Sequence, residues 1–215
     1  MKQVKMTIVF SLILTIGFAQ SSSNFEKTMD EKTGELKNVK TEQEMMDLAN
    51  QFERIAAAEK AEWLPAYYAA FCYINMTFFA GEPDQKDALL DKAQKLIDQA
   101  EEIKPNESEL LVLQGFLHQG RIQVDPMNRG MQYSMKANEA FGKAKALNPE
   151  NPRTYYLQGQ NLLHTPEAFG GGAKAACPLL KTALGKYHTF VPEKDYAPNW
   201  GKENTEKLVQ KSCNE

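Results

Sequence analysis

The chain has 215 residues, 42% of them apolar and 25% charged, enough for one or two compact domains with a sizeable buried core. That composition excludes collagen-like, disordered and multi-span membrane classes. With 25 Lys plus Arg against 28 Asp plus Glu, and no dense run of one sign, the chain has no basic footprint for nucleic acid, and none is expected as a partner.

Lys2 and Lys5 precede an uncharged apolar stretch from Met6 to Ala19, and a polar run follows from Gln20. This is the three-part layout of a secretory signal peptide, with small residues at Gly17 and Ala19 marking cleavage after Ala19. At fourteen residues the stretch falls short of the roughly 20 that cross a hydrocarbon core, so no membrane span is expected after signal cleavage. The expectation is an exported protein, periplasmic or secreted. Residues 20–40 then read as a polar segment or a partial first repeat helix.

Beyond residue 40 the chain repeats with a period of 44. Ala66-Tyr67-Tyr68-Ala69-Ala70-Phe71, Leu110-Leu111-Val112-Leu113-Gln114-Gly115 and Thr154-Tyr155-Tyr156-Leu157-Gln158-Gly159 are related by that shift. The same shift carries Ala93, Ile97, Ala100, Ile103 and Pro105 onto Ala137, Phe141, Ala144, Leu147 and Pro149, and Ala49 and Ala56 extend the series backward. Recurrence at a fixed period signals stacked supersecondary units. Each unit reads as two helices. Thr41 followed by Glu44 is a capping box that opens the first outer helix. Asp84 is the expected N-cap of the next, whose stripe is Leu89, Ala93, Leu96, Ile97, Ala100 and Ile103. Its successor, from about Asn128 to Leu147, places Tyr133, Ala137, Ala140, Phe141, Ala144 and Leu147 on the matching face. Gly81-Glu82-Pro83 and Asp125-Pro126-Met127-Asn128 are the turns within units.

The pattern of Tyr-Tyr-x-x-Gly, then Ala, Phe, Ala and Pro at intervals of four, three and five, resembles the tetratricopeptide repeat over residues 41–188, with units of 44 residues in place of that family's 34 or so. The resemblance implies an all-α fold: a right-handed α-α superhelix, a TPR-like solenoid of helical hairpins. Residues 189–215 then form a linker and a C-terminal capping helix pinned by Trp200. Triple glycine at Gly170-Gly171-Gly172 reads as a tight turn between close helices, the alternative being an anion site at a helix start.

No catalytic or metal-binding constellation appears: no nucleophile elbow, no His-Glu-x-x-His, no Cys-x-x-Cys and no phosphate loop. His118, His164 and His188 are scattered, with His118 and His164 near the ends of equivalent helices. The chain is read as a non-enzyme without cofactor or metal. Of three cysteines, Cys177 and Cys213 are the expected disulfide, because the last helix should fold back on the helix bearing Cys177, and Cys72 is read as a buried free thiol.

Carrying the repeat family's groove-facing positions onto this chain implies a concave partner-binding face of Tyr68, Cys72, Asn75, Phe116, Gln119, Arg153, Tyr156, Gln160 and His164, with Arg153 its main fixed positive charge. Tyr67 and Tyr155 are assigned to the core. On this reading Tyr68, Phe116, Arg153 and Tyr156 tolerate substitution better than the repeat alanines tolerate enlargement. The function implied is a protein- or peptide-binding scaffold of a bacterial cell envelope. The alternative is a small-ligand-binding accessory protein of an envelope transport system, its pocket lined by the same aromatics.

Overall fold

Every regular element in the computed structural model, which describes residues 24–213, is helical, and the signal-peptide reading lies outside those residues. A first helix, α1, spans 24–36. It is followed by α2 (Glu42–Ala58), α3 (Leu64–Met76), α4 (Pro83–Ile103), α5 (Ser108–Val124), α6 (Pro126–Leu147), α7 (Pro152–His164), α8 (Ala173–Thr189) and α9 (Lys202–Ser212), with a single 3-10 turn at Glu167–Phe169. Among these residues no helix is long and apolar enough to cross a membrane.

Local chemistry sets the boundaries. Thr41 Oγ1 accepts from Glu44 N while the Glu44 carboxylate accepts from Thr41 N, the reciprocal capping box read from the sequence. The start of α4 differs from expectation. Its N-cap is Glu82 and Pro83 is the first helical residue, because proline lacks the N–H that would go unbonded there. Likewise α6 begins at Pro126, two residues ahead of the expected Asn128, with the Asp125 side chain accepting from Asn128 N.

Two layers result. Helices α2, α4, α6 and α8 carry one apolar stripe each, whereas α3 is apolar almost all round and is buried accordingly. Sequence neighbours pack as antiparallel hairpins, and α5 also touches both α3 and α7, the three forming the inner layer of an all-α solenoid. Small residues admit the close crossings. A Cβ on Gly115 would lie 2.2 Å from the Phe141 ring, and one on Gly159 would lie 2.8 Å from Leu180. These glycines are 44 residues apart, yet their partners are separated by only 39, so the final hairpin is five residues tighter than its predecessor. That shortening is why the repeat fades after residue 160. Ala93, Ala100, Ala137 and Ala144 are all fully buried, whereas Leu147, expected on the same stripe, is half exposed at the last residue of α6.

The glycine run closes this last hairpin. Gly170 and Gly172 have φ of 81° and 85°, and a Cβ on Gly171 would sit 2.0 Å from Thr165 O. All three amides are spent internally: Gly170 N on Glu167 O, Gly171 N on Pro166 O and Gly172 N on Leu162 O. The tight-turn alternative is therefore the one realised.

His118 is wedged between α5 and α6 against Tyr133, whose ring is 5.8 Å away. Burial first, then the nearby Lys136 and Arg121 charges, push its pKa down to about 4, with Glu139 opposing. The unfolded chain thus takes up this proton near pH 6.5 and the folded chain only near 4. Stability contributed by neutral His118 is present above that window and falls as pH drops through it. Allowing for partial exposure, the loss is about 1–2 kcal/mol. Denaturation at pH 7 and pH 4.5 should show it, and His118→Gln should flatten that part of the profile. An equal slope in the variant would assign the loss to other groups.

Candidate ligand cleft

The inner face of the solenoid is occupied by the chain's own C-terminal segment. After α8, residues 190–201 run without regular structure across α3, α5 and α7. Tyr68 Oη donates to Tyr196 O (2.8 Å), Tyr187 Oη donates to Trp200 O (2.9 Å), and Trp200 Nε1 donates to Tyr67 Oη (2.9 Å). The α1 helix clasps this strap from outside, with Phe25 edge-on to Tyr196 and Lys194 paired to Glu26 at 3.1 Å. Burial raises the pKa of Tyr67, Tyr68 and Tyr187, so these phenols act as neutral hydrogen-bonding groups.

Arg153 lies beneath the strap rather than in an open groove. It is 1% exposed, with Nε 2.9 Å from both Glu109 carboxylate oxygens and Nη2 2.5 Å from Oε1. Asn151 Nδ2 donates to the same carboxylate (2.7 Å) and to Ser108 Oγ (3.1 Å). The guanidinium faces the Phe190 ring at 4.6 Å and the Trp200 ring at 5.9 Å. Burial opposes its charge, but Glu109 outweighs that and raises the pKa. Arg153 is thus the pivot of a buried network, which corrects its reading as a substitution-tolerant charge lining the surface.

The other groove candidates divide. Tyr68, Phe116 and Tyr156 come together on the inner face but are almost fully covered, and Cys72 is wholly buried with its thiol pKa raised by desolvation. Tyr67 and Tyr155 are buried as well. Asn75 Nδ2 donates to Phe71 O within its own helix, Gln119 Nε2 ties α5 to Leu157 O at 2.8 Å, Gln160 is half-buried, and His164 is exposed at the end of α7. The Cys177–Cys213 disulfide joins α8 to α9.

What remains open is a cleft of about 490 Å3 between α1, α3 and the start of α9. Its apolar wall is Leu36, Tyr68, Phe71 and Trp200, and its rim carries Lys37, Lys202, Glu203 and Glu206. Phe71 stands 5.0 Å from Trp200, and Phe116 is 6.0 Å from Trp200 and 6.1 Å from Phe71, all tilted by 32–38°. Phe78, half exposed, prolongs the array as a near-parallel neighbour of Phe116 at 6.2 Å. Rings with similar inclination present faces to a flat unsaturated ligand. Lys37 and Lys202 form no ion pair among the described residues, whereas Glu203 is held by Lys207 at 2.6 Å. The cleft therefore joins an aromatic wall to a rim that carries Lys37 and Lys202 beside Glu203 and Glu206. Its lining has no His, Cys or Met, and among the described residues no three His, Cys, Asp or Glu side chains converge as a metal site.

No known family profile and no curated protein matches the chain. Among solved structures it is similar to the HusA haemophore from Porphyromonas gingivalis, with 33% sequence identity and a TM-score of 0.80 across 86% of this chain and 91% of that one. The chain belongs to the HusA family. For a HusA-family chain the decisive groups were only partly visible in the sequence. The sequence pattern points to Trp200 as the anchor of the last helix, but its place in the cleft, and those of Phe71, Lys37 and Lys202, depend on a strap whose course no periodicity reports. A signal for the buried network did exist. Glu109 and Arg153 are 44 residues apart, so opposite charges occupy one register position on neighbouring inner helices.

Proposed function

We propose that this protein is an exported haemophore that holds haem in the cleft of Tyr68, Phe71 and Trp200, its rings lying against the porphyrin and Lys37 and Lys202 meeting the propionate carboxylates. The observation that carries this reading is the pairing of an aromatic wall with two lysines that form no ion pair among the described residues, in a chain one-third identical to a named haemophore. Haem is a flat apolar ring with two anionic arms on one edge, and the cleft offers matching chemistry. A small-ligand reading is favoured over a peptide scaffold, because the strap covers the face a peptide would use. The tetratricopeptide likeness is taken as a shared way of stacking hairpins. A disulfide supports export, since such bridges persist in oxidising compartments.

Haemin titration of the chain from Gln20 onward, followed at the Soret band, tests the reading. Saturable binding is expected, with Lys37→Glu plus Lys202→Glu weakening it about tenfold, equivalent to roughly 1.4 kcal/mol. Failure to saturate, or an unchanged affinity in the double variant, would count against the cleft as the haem site.

A further inference from the structure

We propose that the Cys177–Cys213 bridge is a latch on the cleft: by fastening α9 to α8 it seats Trp200 against Phe71 and Phe116, so that the ligand site is complete only in the oxidised protein. The ligand consequence rests on the haem-binding reading above, whereas the latch itself is a property of the unliganded chain.

Trp200 sits one residue before a hinge. Gly201 adopts φ 101°, and a Cβ there would lie 2.3 Å from Tyr187 Oη and 3.2 Å from the Tyr156 ring, so both the backbone turn and the close approach demand glycine. Gly201 O in turn accepts from Thr205 N and Thr205 Oγ1, which begins α9. The indole is thereby coupled to α9 through a short, bonded turn. That helix holds itself in place poorly. It has eleven residues, its one fully covered side chain is Thr205, Leu208 and Val209 are only partly buried, and it packs on α8. An isolated helix of this length is marginal in water. Cys213, at its far end, supplies the fixed attachment. The strap is bonded along its length to Tyr68, Tyr187 and Tyr67, and past Trp200 its covalent anchor is the disulfide at the end of α9.

Closure forms one Sγ–Sγ bond and breaks two S–H bonds. Two protons and two electrons pass to an exchangeable disulfide oxidant, which leaves as its dithiol. A chain kept reduced before export would retain its wall aromatics and the Trp200 bonds to Tyr67 and Tyr187, but would hold Trp200 and Lys202 less firmly, and would gain affinity on oxidation. The bridge and the ligand are then linked reciprocally.

Trp63→Phe leaves Trp200 as the only tryptophan. In that background, reduction with a phosphine, or replacement of both Cys177 and Cys213 by serine, should shift Trp200 emission to the red and raise its quenching by acrylamide severalfold, with no ligand present. Far-UV circular dichroism should retain the solenoid, losing no more than the α9 contribution. Haemin affinity should fall about tenfold, reflecting lost preorganisation. Unchanged Trp200 emission and quenching on reduction would overturn the latch whatever haemin does. Loss of helix throughout the chain would also overturn it, showing that the bridge supports the whole fold. If the oxidised protein binds no haemin while Trp200 still responds, the haem reading fails and the latch stands.

Discussion

Arg153→Met is expected to destabilise the fold by about 3–5 kcal/mol, the range for removing one partner of a buried ion pair. The cost is mainly that of the group left behind. Glu109 is buried beside Ser108 and Asn151, and without the guanidinium its carboxylate keeps only the Asn151 amide and the distant Tyr67 hydroxyl at 3.5 Å. The faces of Phe190 and Trp200 lose their cation as well. Pairing Arg153→Met with Glu109→Leu should restore more than half of the loss, since both charges then vanish together. Urea denaturation of the two single variants and the double variant measures this directly. An Arg153→Met protein within about 1 kcal/mol of the parent would show that the network does not carry the inner layer.

The second large effect concerns the crossing of α5 and α6. Phe141→Ala should cost about 3–5 kcal/mol, because its ring is fully buried and fills the space that Gly115 leaves free. Gly115→Ala alone should cost about 1–3 kcal/mol, since the new methyl group lands 2.2 Å from that ring. Made on top of Phe141→Ala, the same change should be neutral or slightly stabilising, because the methyl meets open space and alanine is the better helix former by about 1 kcal/mol. The expected outcome is therefore strong coupling between two residues 26 positions apart. Simple additivity would mean that the glycine is not there to receive the phenylalanine.

These two variants also mark how far the sequence was readable. Gly115 with Phe141, the buried alanines and the capping box at Thr41 follow from periodicity and local hydrogen bonding, which act within one hairpin and leave a regular trace. The hairpin solenoid was legible for that reason. Leu147 and the start of α4 depart from the stripe because helix ends answer to caps and neighbours. The strap was illegible for a deeper reason. Residues 190–201 make no periodic contacts, and three of their partners, Tyr67, Tyr68 and Glu26, lie more than 120 residues away in the chain. Tyr68, Phe116 and Tyr156 share one face of the inner layer, but the strap that covers them leaves no trace in their own helices. Repeat position alone puts Arg153 on that face, and a position cannot say whether a charge meets water or a buried carboxylate 44 residues earlier.

Several apolar surfaces compete with the cleft in principle. Met127, Met131 and Met135 form an exposed ladder along α6, and a convex groove of about 420 Å3 runs past Leu110, Gln114 and Lys143. The crystal structure of the oxidised protein loaded with haemin, with iron located by its anomalous scattering, separates these sites in one measurement. The account predicts one iron position in the cleft, with the porphyrin against Phe71 and Trp200 and its carboxylates toward Lys37 and Lys202. Iron on the methionine ladder or in the convex groove, with the cleft empty, would contradict it.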